Sequence, residues 1–268
     1  SSGARRTTQS IAPAAAWSPI GGKGITNGQV EGMPAQNDPV TGAIQVVLPH
    51  PTNADILYVG GVNGGVWKTT NAQAATPTWT TNTDQMASLS IGALAFDSAD
   101  STLNTVWAGS GRNSSLFRSG GEHVGLYRTT DGGDTWSTFS GGGVLTGKRI
   151  SGIAANGNTI VVAAANDDSQ GARGGGIYRS TDGGATFARV GGALPAGSAY
   201  DLVRDPVSTN VLYTGIAFAH LSGGTSGVYR SADMGATWTK VSSTAMDAHV
   251  AASQSISNIE MAVGRTGE

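Results

Sequence analysis

The chain has 268 residues with 41 glycines and no cysteine; 38% of it is hydrophobic, only 13% is charged, and the net charge is −2. This is enough apolar material for a packed core and argues against disorder. The lack of cysteine excludes disulfides, thiolate metal sites and a cysteine nucleophile. The only adjacent basic residues are Arg5-Arg6 and Lys148-Arg149, so no nucleic-acid footprint is present and no nucleic-acid partner is expected. The longest apolar run, Ile160-Val-Val-Ala-Ala-Ala165, falls well short of the roughly 20 residues that cross a bilayer, so no membrane span is expected either. The first residues lack a charged segment followed by an apolar one, so any signal peptide is expected to be already gone or never to have been included.

In chain order, residues 1–16 read as an N-terminal extension. Trp17-Ser-Pro-Ile-Gly21 has the look of a strand that follows a hairpin turn and is expected to be the outer strand of the last repeat. A unit then recurs. Its first strand is an apolar run at 43–48, 91–96, 150–155 and 200–203, with a fifth copy at 256–263. Its second strand reads Asp55-Ile-Leu-Tyr-Val-Gly60, Asn104-Thr-Val-Trp-Ala-Gly109, Asn158-Thr-Ile-Val-Val-Ala163 and Asn210-Val-Leu-Tyr-Thr-Gly215.

The third strand is Gly65-Val-Trp-Lys68, Gly125-Leu-Tyr-Arg128, Gly176-Ile-Tyr-Arg179 and Gly227-Val-Tyr-Arg230; the last two steps, 125 to 176 and 176 to 227, are 51 residues each. Three copies run on into Thr129-Thr-Asp131-Gly-Gly133-Asp-Thr-Trp136, Ser180-Thr-Asp182-Gly-Gly184-Ala-Thr-Phe187 and Ser231-Ala-Asp233-Met-Gly235-Ala-Thr-Trp238, a pattern S/T-x-D-x-G-x-x-W/F. It predicts a β-hairpin. Asp131, Asp182 and Asp233 accept hydrogen bonds from turn amides, Gly133, Gly184 and Gly235 permit positive φ, and Trp136, Phe187 and Trp238 fold back over the hairpin. These carboxylates are read as structural. The first copy departs, with Thr69-Thr-Asn71 and a longer, Pro-containing segment before Trp79, so its turn must be rebuilt.

Four short strands per unit of about 50 residues predict an all-β propeller of four-stranded antiparallel blades. No long 3.6-period segment separates the strands, which disfavours a parallel α/β fold. A β-sandwich would not explain the register in which the hairpin returns. Blades are expected at about 43–82, 90–140, 149–191 and 199–242, with the start of the next at 256–268. Residues 17–268 thus read as part of one propeller, expected to be a ring of seven blades, and further blades from the parent chain or a cleaved chain are the first expected partner.

At this point the repeats resemble the BNR, or Asp-box, propeller superfamily over nearly the whole chain. Members include sialidases, xyloglucan-cleaving glycoside hydrolases, sortilin-type receptor domains and a photosystem assembly factor, so the resemblance implies a fold and leaves the activity open. Composition and family together point to an extracellular or cell-surface location, with the periplasm as the alternative.

Strand order puts the aspartate turns on one rim and the second-to-third-strand and blade-to-blade connections on the other. Ligand sites are expected on the latter rim, where loops are longer. Its loops carry Arg112, Arg118, Glu122, His123, Arg173 and His220, the candidate ligand-binding residues, and also Asp247 and His249. They suit a glycan or a protein ligand, against the plainer reading of solvated surface charges. Arg112, Arg118 and Arg173 could imitate the carboxylate clamp that the sialidase resemblance implies, but the arginine motif preceding the first Asp box there is missing and the chain has only four glutamates.

Val62-Asn63-Gly64-Gly65-Val66-Trp67-Lys68 is similar to the Asp-x-Gly-Gly-x-Tyr-Arg stretch that carries one catalytic Asp in xyloglucanases, with Asn63 read at the acidic position. A neutral amide cannot serve as nucleophile or base. Asn166-Asp167-Asp168-Ser169-Gln170 clusters oxygen ligands of the kind Ca²⁺ accepts, with Asp167 and Asp168 as the candidate metal ligands, against an ordinary Asx-rich loop. His50, before Pro51, reads as turn chemistry. No catalytic residue is assigned. The preferred reading is a secreted non-catalytic module for carbohydrate or protein binding, or a part of a surface assembly; the alternative is a glycoside hydrolase whose catalytic residues lie partly outside this chain.

Overall fold

A computed structural model describes residues 42–111, 120–167, 171–247 and 259–264. It bears out the all-β class. Four sheets of four strands follow one another along the chain. The first holds β1 (Ile44–Pro49), β2 (Leu57–Gly61), β3 (Val66–Thr69) and β4 (Thr80–Thr81), and the second β5 (Ile91–Phe96), β6 (Val106–Ser110), β7 (Leu126–Thr129) and β8 (Ser137–Phe139). The third holds β9 (Lys148–Asn156), β10 (Thr159–Asp167), β11 (Gly176–Ser180) and β12 (Ala188–Arg189), and the fourth β13 (Ser198–Arg204), β14 (Leu212–Ala217), β15 (Gly227–Ser231) and β16 (Thr239–Lys240). Every pair is antiparallel and joins neighbours in sequence. The first strands converge, β1 on β5, β5 on β9 and β9 on β13.

The core lies between the sheets. Alternation along β6 shows why: Val106 and Ala108 pack with Tyr58, Val66 and Ile91 in the seam against the first sheet. Trp107, between them, packs with Ile150, Ile153 and Phe187 in the seam against the third. A strand buried on both faces therefore contributes to two cores. A third cluster, including Val161, Ile177, Leu202, Leu212 and Trp238, joins the third sheet to the fourth. The seams are tight enough to dictate a glycine: a Cβ at Gly109 would stand 2.3 Å from Ile150 Cγ2.

A first strand was expected at 256–263; residues 256–258 lie outside the described set, and 259–264 are not in a ladder among the described residues. The packing nevertheless follows the repeat. Ile259 sits against Gly215 as Ile91 sits against Gly60 and Ile150 against Gly109, and Met261 donates its N–H to Asp201 Oδ2 at 2.8 Å. The segment 17–21 lies outside the described residues.

Candidate functional site

The aspartate turns are built alike. In the second sheet Thr129 Oγ1 donates to Asp131 Oδ1 at 2.6 Å and accepts the N–H of Gly133 at 2.8 Å. Asp131 in turn accepts the N–H of Thr135 at 2.9 Å and its hydroxyl at 2.6 Å. The leading Ser or Thr thus serves the turn amides, and the carboxylate ties the far side of the hairpin. The same bonds recur at Ser180, Asp182 and Thr186 and at Ser231, Asp233 and Thr237. Trp136 and Trp238 donate their indole N–H to Gly133 and Gly235 carbonyls at 3.2 and 3.0 Å.

Two successive residues hold positive φ in each turn, 74° and 101° at Gly132 and Gly133, and 53° and 77° at Met234 and Gly235. Met234 carries the backbone cost a side chain meets there. In the first sheet the insertion lengthens the loop, yet Asn71 keeps the anchor: its Oδ1 accepts from Thr69 Oγ1 at 2.9 Å, Thr78 N–H at 2.9 Å and Thr78 Oγ1 at 3.1 Å. An amide oxygen suffices for bonds in which the side chain only accepts.

These turns also join the seams. Tyr58 Oη and Lys68 Nζ both donate to the Gly132 carbonyl of the next blade, at 2.8 and 2.7 Å. Burial, then the charges of Asp134 and Asp131, push the Tyr58 phenol up to about 12. Arg179 Nε makes the matching bond to the Met234 carbonyl at 2.8 Å.

On the opposite rim the candidate ligand residues divide. Arg112, Arg118, Asp168 and His249 lie outside the described residues. Glu122 is exposed and His123 buried, so His123 belongs to the packing of its loop. Arg173 and His220 are exposed, and the loops that carry them touch, with Arg173 Nε donating to the Leu221 carbonyl at 3.3 Å. The His220 ring lies 6.3 Å from that of Phe218, whose φ of 55° is left-handed. Asp247 accepts from Lys240 and Ser242, and these hydrogen bonds, Lys240 first, hold its carboxyl below the usual range. His50 Nδ1 accepts the N–H groups of Thr52 and Asn53 at 3.3 and 3.1 Å, closing the turn after β1.

Asp167 faces a cation already in the chain. Lys148 Nζ lies 2.5 Å from its Oδ2, both side chains buried, and the ammonium stands 5.0 Å from the Tyr178 ring centroid. A carboxylate so engaged is directed at a lysine rather than at a bound ion. The described residues hold no group of three His, Cys, Asp or Glu side chains placed to take a metal.

Counted back from Gly64-Gly65, the acidic position of the Asp-x-Gly-Gly stretch falls on Val62, one residue before Asn63. Val62 is buried, and Asn63 Oδ1 accepts from Ser90 Oγ at 2.7 Å. Neither is a carboxylate. Beside them runs a groove of about 690 Å³ lined by Ile44, Val59, Asn63, Trp67 and Trp79. The indoles of Trp67 and Trp79 are 38% and 37% exposed, whereas Tyr178 and Trp238, at the same repeat positions, are each 5% exposed within seams. The groove is therefore the open half of a seam. A second groove, between the third and fourth sheets on the turn rim, is lined by Arg179, Arg189, Thr181 and Trp238. Sequence reasoning missed it because its walls come from two blades.

No family model matches the chain. The chain is similar to a xyloglucanase from Paenibacillus sp., 28% identical over 239 residues, which covers 75% of this chain and 22% of that protein. It therefore spans about a fifth of that relative's length. Among solved structures it resembles an ancestral GH74 enzyme (TM-score 0.53, 22% identity, 76% of this chain and 24% of that one). It also resembles a Niastella koreensis GH74 enzyme (TM-score 0.51, 24% identity, 72% and 28%). A GH74 xyloglucanase from Xanthomonas campestris is similar too (TM-score 0.53, 18% identity, 73% and 29%). At these identities the likeness carries the fold, and the four sheets are blades of a β-propeller.

Proposed function

We propose that this chain is a non-catalytic, Asp-box-type propeller module that binds a neutral polysaccharide of the xyloglucan class outside the cell. The observation that carries the non-catalytic part is the turn after β2. Where the xyloglucanase pattern needs an acid, this chain has buried Val62 followed by an Asn63 held by Ser90, and neither side chain can act as nucleophile or general base. The similarity to a xyloglucanase supports the choice of polysaccharide. Among the described residues no helix is long and apolar enough to cross a membrane. The seating of Ile259 on Gly215 supports a fifth blade beginning there, which makes further blades the first structural partner.

The same similarity favours one second reading, a glycoside hydrolase whose catalytic carboxylates lie outside these residues. Incubating the full-length protein with xyloglucan separates the two. Retention of the protein on xyloglucan without release of reducing ends is the expected result. Sustained release of reducing ends would overturn the non-catalytic reading, and no retention would overturn the binding one.

A further inference from the structure

Four pairs of Asn or Asp followed by Gly lie among the described residues: Asn63-Gly64, Asp131-Gly132, Asn156-Gly157 and Asp182-Gly183. Such a pair is chemically fragile, because a glycine carries no side chain to keep its nitrogen from closing on the neighbouring side-chain carbonyl. Closure requires that nitrogen to give up its proton. In three of the pairs the fold holds the N–H in place. Gly132 donates to the Asn104 carbonyl at 2.9 Å and Gly183 to the Asn158 carbonyl at 3.0 Å. Gly157 donates to Asp97 Oδ1 at 2.8 Å, and the nearby negative charge further opposes loss of that proton.

Asn63-Gly64 is built differently. Both residues are exposed in the connection between β2 and β3, and among the described residues nothing accepts the Gly64 N–H. Across the turn from this nitrogen is Gly61, where a Cβ would stand 3.0 Å from it, so no side chain covers it from that residue. The electrophile is prepared as well. Ser90, fully buried, accepts the Gly121 N–H at 2.9 Å and donates its hydroxyl to Asn63 Oδ1 at 2.7 Å. A hydroxyl that itself accepts a hydrogen bond is a stronger donor. It draws electron density from the Asn63 amide carbon and stabilises the charge that collects on Oδ1 when that carbon is attacked.

We propose that Asn63 is a site of spontaneous deamidation, at which the Gly64 nitrogen displaces ammonia from the Asn63 side chain and a carboxylate results. The Gly64 nitrogen loses its proton to base and bonds to Asn63 Cγ. The Cγ–Nδ2 bond breaks, and Nδ2 takes a proton from water and leaves as ammonia. Water then adds to one carbonyl of the cyclic imide and breaks the bond from that carbon to the Gly64 nitrogen. Opening at Cγ yields aspartate, and opening at the main-chain carbonyl yields isoaspartate. Water is the one co-reactant consumed. Either product puts a negative charge beside buried Val62, where the chain is made with a neutral amide. The inference does not rest on the carbohydrate-binding reading.

The test is peptide mapping by mass spectrometry on the full folded chain, aged in mildly alkaline buffer made with heavy-oxygen water. Heavy oxygen is expected to enter at Asn63 about tenfold or more faster than at Asn156, whose glycine N–H is held by a carboxylate. Gly64→Ala has room, since its Cβ would meet only Trp67 Nε1 at 3.9 Å, and should slow conversion severalfold without changing the melting curve. Ser90→Ala should slow it about threefold or more. In urea the two Asn-Gly pairs should convert alike, because the bonds that distinguish them are gone. No conversion at Asn63 in the folded chain, conversion at Asn156 just as fast, or an unchanged rate in Gly64→Ala would overturn the proposal. So would a preference for Asn63 that persists in urea, since it would then owe nothing to the fold. Faster conversion in a Ser90→Ala variant that melts like the parent would overturn the activating role given to Ser90.

Discussion

Asp182 and Thr186 close the third hairpin through two bonds, the Thr186 N–H to Oδ1 at 3.0 Å and its hydroxyl to Oδ2 at 2.5 Å. These bonds, with a third from Ser180, hold the Asp182 carboxyl down to about 2. Asp233, where burial pushes up but the bonds from Thr237 and Ser231 prevail, is also lowered to about 2. A carboxyl depressed in the folded state stabilises fully above its unfolded value of about 3.9, and the contribution is lost as pH falls through the folded one. The melting temperature is therefore expected to drop between about pH 4 and pH 2. A variant with Asp182→Asn and Asp233→Asn should show a shallower drop in calorimetry over that range, and an unchanged slope would contradict the role given to these turns.

Asn71 already does in the first blade what Asp131 does in the second. Asp131→Ala removes the carboxylate that accepts from Thr129 and Thr135 and is expected to lower stability by about 1 kcal/mol. Asp131→Asn should lose clearly less, because an amide oxygen keeps the accepting role. Urea unfolding of the two variants decides the point; equal losses would mean that charge, and not hydrogen-bond geometry, holds the hairpin. Polysaccharide retention should survive both substitutions.

Lys148 and Asp167 form a buried pair, and removing one partner strands a charge. Lys148→Met is expected to cost about 3 to 5 kcal/mol, and the double variant Lys148→Met with Asp167→Leu should recover much of that. A double-mutant cycle in urea measures it. Additive losses would show that the two side chains do not act together. Calcium is not expected to restore the single variant, since its site would need ligands beyond Asp167.

Gly109 lies in the seam between the second and third blades. Gly109→Ala places a methyl group against Ile150 and is expected to destabilise by about 1 to 3 kcal/mol through overpacking. Combining it with Ile150→Val should return part of that loss. If the glycine variant melts like the parent, the seam is looser than the contact implies.

Much of the blade was legible because its determinants are local. Thr129 to Trp136 acts on itself: its hydrogen bonds span two to four residues, so the spacing of Ser or Thr, Asp, Gly and Trp or Phe is enough to specify the hairpin. The apolar runs of β6 and β10 marked strands buried on both faces for the same reason. Even His50 was readable as turn chemistry, since its partners are Thr52 and Asn53.

What lay beyond the sequence is what one blade does to the next. Asp167 could be read as a calcium ligand or as part of an ordinary Asx-rich loop with Asn166, Asp168 and Gln170, because the lysine that meets it is 19 residues away on β9. His123 looked like a loop residue free to bind, and tertiary packing buried it. Arg179 carried no signal, being an ordinary residue of a repeated strand. Its bond to the Met234 carbonyl arises only when the third blade meets the fourth. Hydrogen bonds within a turn are set by neighbours in sequence, whereas charge balance and open volume at a seam depend on two surfaces that meet only after both blades have folded.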